Sequence, residues 1–88
     1  MRFDPAEREQ ITEILQKLAL ASRNEPGCVN YIGHFVEGEP ATVVIYEQYT
    51  DERALDHHRT APHFHQYAVG GLYQKMLERH VENLVAVA

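Results

Sequence analysis

Tryptophan is absent from this chain, and there is a single cysteine. One cysteine forms no internal disulfide, so a disulfide-stapled secreted scaffold is excluded and a reducing, cytoplasmic setting is the expectation. Basic residues are also scarce. Eight Lys and Arg stand against thirteen Asp and Glu, for a net charge of -5 with His neutral. Nucleic acid is disfavoured as a partner, because a phosphate backbone demands a cationic surplus. An anionic membrane surface is disfavoured for the same reason. No apolar run approaches the roughly 18 residues of a spanning helix. The opening residues Met1, Arg2, Phe3, Asp4 and Pro5 lack the apolar stretch of a signal peptide. Repeats, linkers and low-complexity stretches are missing too, so residues 1–88 read as one domain.

What is present is a globular composition. The 44% hydrophobic and 24% charged residues are too apolar for a disordered chain. A chain of 88 residues buries about 64% of its unfolded surface, enough for a small core. A deep enclosed pocket is hard to build in one such chain, so a second copy is expected to complete any large site. Six His and five Tyr are many for this length. Four of the histidines, His57, His58, His63 and His65, crowd into one segment.

The apolar periodicity predicts a first helix over 5–22. Asp4 is a good N-cap, Pro5 suits the first helical position, and Glu7 is placed for a capping box. Ile11, Ile14, Leu15, Leu18 and Ser22 make one stripe, with Glu13 and Lys17 paired outside it. Asn24-Glu25-Pro26-Gly27 turns the chain. Two β-rich runs over 28–36 and 42–49, joined by a short turn, predict an antiparallel hairpin. Both of its faces carry apolar groups, so both are expected to be covered, one by helices. Asp51 caps a second helix over 52–59, and a short helix follows over 60–69. Gly70-Gly71 reads as a breaker and hinge, 72–77 as a further helical turn, and 79–87 as a last strand. Helix, hairpin, helix and strand make most of an α+β split β-α-β unit with an antiparallel sheet. Only residues 1–3 precede Asp4, so its first strand is expected to be very short or to begin upstream of Met1.

The series Glu25-Pro26-Gly27-Cys28-Val29-Asn30-Tyr31, Tyr46-Glu47-Gln48-Tyr49-Thr50-Asp51-Glu52, Ala54-Leu55-Asp56-His57-His58 and Pro62-His63-Phe64 resembles the antibiotic biosynthesis monooxygenase (ABM) family in order and spacing. The resemblance covers nearly the whole chain. It implies a ferredoxin-like protomer, a homodimeric α+β barrel packed sheet on sheet, and a substrate cavity between sheet and helices. Some relatives oxidise quinols, phenols or anthrone-like compounds with O₂ and no cofactor. Others degrade haem or isomerise small carbonyl compounds. The haem branch fits poorly: its second-helix Trp falls on His58 here, and its axial-ligand position falls near Ala68.

Cofactor-free oxygenation needs a base, a hydrogen-bond anchor and a dry cavity. His58, on the apolar side of the second helix, is the first candidate base; the alternative is a structural His bonded to backbone or to Glu47. His63 and Glu47 are candidate assistants, with Glu47 placed to orient the imidazole. Tyr31, Asn30, His34, Tyr46, Tyr67 and Tyr73 are candidate substrate contacts, though aromatics in a small domain commonly serve the core. No metal site is expected within the His-rich segment, because neither His57-His58 nor His63-x-His65 has the i,i+4 spacing of a helical ligand pair. Ligands from separate segments remain open. Cys28 reads as a small buried hydrophobe. The reading is therefore a cofactor-free monooxygenase of a small aromatic or quinone-like substrate and O₂. Cofactor-free isomerisation of a carbonyl compound and non-enzymatic ligand binding are the alternatives.

Overall fold

The computed structural model describes all 88 residues. Asp4 accepts a hydrogen bond from the Ala6 amide at 2.9 Å, and the chain enters a 3-10 turn over Pro5–Glu7. The α-helix proper, α1, spans Arg8–Arg23. No capping box forms: Glu7 instead takes an ion pair from Lys75 at 3.0 Å, tying the start of α1 to the far end of the helical layer. Of the expected stripe, Ile11, Leu15, Leu18 and Ser22 are buried and Ile14 is half-buried, and Ala19 is buried beside them. Glu13 and Lys17 pair at 3.0 Å on the outer side.

The hairpin consists of β1 (Cys28–Phe35) and β2 (Val43–Tyr49), antiparallel, with Tyr31 opposite Glu47 and Gly33 opposite Ile45. The register slips between Cys28 and Asn30, leaving Val29 as an exposed bulge. Tyr31, Gly33, Phe35, Val43, Ile45, Glu47 and Tyr49 face the helices, and Tyr31 and Val43 join Phe3, Ile11 and Leu18 in the core. Ile32, Val44 and Tyr46 lie on the opposite face, where each is at least 40% exposed.

Residues 1–3 fulfil the role of the short first strand. Arg2 bridges Thr42 on one side and Glu78 on the other, both antiparallel. Val43 donates to the Met1 carbonyl at 2.8 Å and Leu77 to the Arg2 carbonyl at 2.8 Å. The lateral order is thus 77–78, 1–3, β2, β1. This is the ferredoxin-like antiparallel order, with its two strands at that side cut to single bridges.

Two expectations fail. The predicted last strand over 79–87 does not form: pairing stops at Glu78, and Val81, Leu84, Val85 and Val87 are exposed. Arg2 lies opposite Glu78, so the segment past 79 runs beyond the short strand at 1–3 and forms no ladder. The accessible surface, 6216 Å², exceeds that of a compact chain of this mass by about 900 Å², as an extended tail requires. Nor is Gly70-Gly71 a breaker. After α2 (Glu52–Thr60), a π-helix over Phe64–Leu72 runs through both glycines and into the last turn, α3 (Tyr73–Lys75). Gly71 is buried against α1, where a Cβ would sit 3.1 Å from Ile14 Cγ2. Packing against α1 thus uses the missing side chain and outweighs the intrinsic helix penalty of about 1 kcal/mol.

Candidate functional site

The site is built from three separated segments. Asp51 caps α2 by accepting from the Ala54 amide at 2.8 Å. Ala54 and His58 are four residues apart and so share one face of that helix. The Glu25-Pro26-Gly27 turn packs against this face. A Cβ on Gly27 would lie 2.2 Å from the Ala54 Cβ, so only glycine permits the approach. The turn thereby delivers Glu25 to His58 one helical turn further on. Glu25 Oε2 accepts from His58 Nδ1 at 2.7 Å and from His63 Nε2 at 2.5 Å. His58 and Glu25 are buried, while His63, between α2 and the π-helix, is partly open.

The other edge of His58 faces the sheet. Its Nε2 lies 3.7 Å from Glu47 Oε1, beyond hydrogen-bond reach. Glu47 accepts from the Tyr49 hydroxyl at 2.7 Å. Rings surround the imidazole: Tyr31, Tyr49 and Phe64 have centroids 5.6, 5.3 and 5.2 Å from it. Burial, then the Glu47 charge, pushes the Tyr31 phenol far above its ordinary range. Burial, then the hydrogen bond to Glu47, does the same to Tyr49. Both phenols therefore remain donors throughout the working pH range. Tyr31 is only 2% exposed, so its ring is part of the wall around His58. His58 itself is only 2% exposed, whereas the Glu47 side chain is 34% exposed. An incoming molecule meets Glu47 first.

Two surface hollows lie elsewhere. One, of about 670 Å³, is an open shelf along the first turns of α1; the other, of about 460 Å³, runs between α1 and β1. Neither is lined by Glu25, His58, His63 or Glu47. The convergent polar groups, rather than the volume of a hollow, mark the site.

A family described as "Antibiotic biosynthesis monooxygenase" matches residues 1–69. The chain belongs to the ABM family. Among ABM-type relatives, "Putative monooxygenase Rv0793" of Mycobacterium tuberculosis is 30% identical over 63 residues, which is 72% of this chain and 61% of that protein. The aligned part thus spans less than two thirds of that relative. The solved structure of a "Putative antibiotic biosynthesis monooxygenase" from Bacteroides thetaiotaomicron superposes with a TM-score of 0.91 at 27% identity, covering 100% of this chain and 84% of that one. PA3566 of Pseudomonas aeruginosa gives 0.89 at 25% identity, covering 100% and 88%. The ferredoxin-like ABM fold is the fold of this chain.

Of the residues expected at an ABM site, His58, His63, Glu47 and Tyr31 come together. Tyr73 borders them, with its ring 6.2 Å from Phe64 and its hydroxyl bonded to Arg79. Tyr67 packs against the core on the side of Lys17. Asn30, His34 and Tyr46 lie on the opposite sheet face: Asn30 donates to Gln48, and His34 meets the Val44 carbonyl. They line no common site with His58 in the protomer. Period-2 alternation separates them from Tyr31 and Glu47. The carboxylate that orients His58 through Nδ1 is Glu25 rather than Glu47. Glu25 was visible as the first residue of the turn motif, but its reach to α2 depends on Gly27 meeting Ala54, a contact between segments that spacing along the chain does not reveal.

Proposed function

We propose that this ABM-family chain is a cofactor-independent monooxygenase of a small quinol, phenol or related enolisable aromatic. The observation that carries the reading is one imidazole held by a buried carboxylate at Nδ1, with a second, reachable carboxylate on its Nε2 side, inside a box of aromatic rings. Glu47 receives the substrate hydroxyl and passes its proton to His58 Nε2. The gap of 3.7 Å need close by only about 0.5 Å to become a hydrogen bond. Glu25 stabilises the imidazolium that results. Tyr31 stays protonated and donates to the developing oxyanion, while the Tyr49 proton is held on Glu47 and steadies that carboxylate.

The substrate anion passes one electron to O₂, and the two radicals combine at a ring carbon as a hydroperoxide. Loss of water leaves a carbonyl there. A quinol and one O₂ thus give a hydroxyquinone and one water, without an added reductant. Menadiol under ¹⁸O₂ tests this: one labelled oxygen is expected in the enzymatic product. Unlabelled product would overturn oxygenation, and turnover of a carbonyl substrate without O₂ would assign the same base to isomerisation.

The exposed sheet face supports a homodimer as part of the same proposal. Ile32, Val44 and Tyr46 form an apolar strip on it, and the unpaired tail over 79–88 adds four exposed aliphatic side chains. A second copy covers the strip, and the interface buries apolar area as a core does. Light scattering is expected to give about 20 kDa, twice the 10.1 kDa of one chain. Val44→Glu is expected to shift the mass to that of one chain; a wild-type chain that is monomeric at micromolar concentration would contradict the dimer. The unpaired Cys28 fits a cytoplasmic protein. No helix is long and apolar enough to cross a membrane.

A further inference from the structure

The cluster of Glu25, His58 and His63 has a property that proton transfer does not use. One ligand atom from each, the carboxylate oxygen and the two ring nitrogens, lies within 4.8 Å of the others. They come from the turn after α1, from α2 and from the segment before the π-helix, so no helical spacing was needed to assemble them. Glu25 Oε2 serves both imidazoles, while Oε1 is buried with no partner at all. A buried carboxylate oxygen without a partner is costly. A cation between the three side chains would supply one.

The far edge of His58 points the same way. When the neutral ring donates Nδ1–H to Glu25, Nε2 bears a lone pair, and the group facing it at 3.7 Å is another acceptor, Glu47 Oε1. A cation on Nδ1 reverses this pairing. The single proton of the neutral ring then sits on Nε2, where Glu47 accepts it, and Tyr49 already donates to Glu47. This is the carboxylate–histidine–metal order that commonly surrounds a ligating imidazole.

We propose that Glu25, His58 and His63 bind one divalent first-row transition cation of the Zn²⁺ and Co²⁺ class. Two imidazoles and a carboxylate suit such ions, and they leave a coordination position open toward the exposed side of His63. Present separations of 2.5 and 2.7 Å must widen to about 3.3 Å, the spacing of ligands on a tetrahedral ion with bonds near 2.0–2.1 Å. His63, being partly exposed, is the ligand free to move. If His58 is the base proposed above, a bound cation blocks it, because Nε2 is then protonated; the binding itself does not depend on that reading.

The test is calorimetric titration of the chelator-stripped full chain with Zn²⁺, with Co²⁺ followed by visible absorption. One equivalent is expected to bind, with intense tetrahedral-type Co²⁺ absorption. Glu47→Gln is expected to weaken binding by roughly 10–100-fold, as for other outer partners. Loss of a ligand in Glu25→Gln or in His63→Ala is expected to weaken it by at least about 100-fold. The surface pair His57→Ala with His65→Ala is expected to bind as wild type. Absence of stoichiometric binding, or binding that survives both ligand substitutions, would overturn the site. His63→Ala guards against misfolding of the Glu25 variant, because His63 is partly exposed. Stoichiometric binding without any O₂ uptake would leave the cation site standing and remove the monooxygenase reading; O₂ uptake without cation binding would do the reverse.

Discussion

Glu25→Ala is expected to be the most disruptive single substitution in this protein. It removes the shared acceptor of two imidazoles at a point where His58 has no room to find water. Leaving a buried donor unpaired costs about 1–3 kcal/mol, and the lost carboxylate leaves a void beside it. A total near 3 kcal/mol corresponds to a drop in Tm of roughly 12–24 °C for a domain this small. The effect has a counter-term in Glu25 Oε1, which is unpartnered already, so its removal returns part of the loss. Glu25→Gln separates the two. It keeps the volume and one acceptor, so most stability should return while turnover stays low. Thermal denaturation of wild type and both variants checks the order. A Glu25→Ala protein that melts within 2 °C of wild type (roughly 0.5 kcal/mol or less) would show that the three-residue cluster does not hold the turn to α2.

The second large effect is expected at His58. Replacing it with Ala should lower kcat by about 100–10,000-fold, the usual worth of a positioned proton acceptor. KM should change little, because Tyr31, Tyr49 and Phe64 still form the surrounding box. Cavity formation will also destabilise this variant, so loss of rate alone would not separate a base from a packing residue. Added imidazole does separate them. The space vacated by the ring lies between Glu25 and Glu47, where a free imidazole finds an acceptor on each side. Partial recovery of kcat with imidazole is expected; a folded variant with undiminished kcat would remove His58 from the chemistry.

Local signals read from the sequence correspond to what forms. Asp4 and Asp51 cap where their spacing to an apolar stripe placed them, and the two hairpin strands match the expected bounds to within a residue at each end. These features depend on neighbours a few positions away. Gly71 was misread because its meaning lies in Ile14, on another helix. The tail over 79–87 differs because apolar residues signal strand capacity only, and the segment runs past the short strand at 1–3 that pairs with 77–78. At the site, helical face assignment was enough to turn His58 inward. It was not enough to choose its partner, because Glu25 and Glu47 reach opposite nitrogens of the same ring from different segments. Asn30, His34 and Tyr46 show the reverse error: residue type suited a site, while strand parity put them on the other face.

Oxygen consumption by the wild-type protein with menadiol, measured against the protein-free rate at the same pH and in the presence of a chelator, tests the central claim most directly. The expected result is uptake that rises in proportion to protein concentration and persists in the chelator. Uptake equal to the spontaneous rate at every protein concentration, with the chain folded, would contradict it.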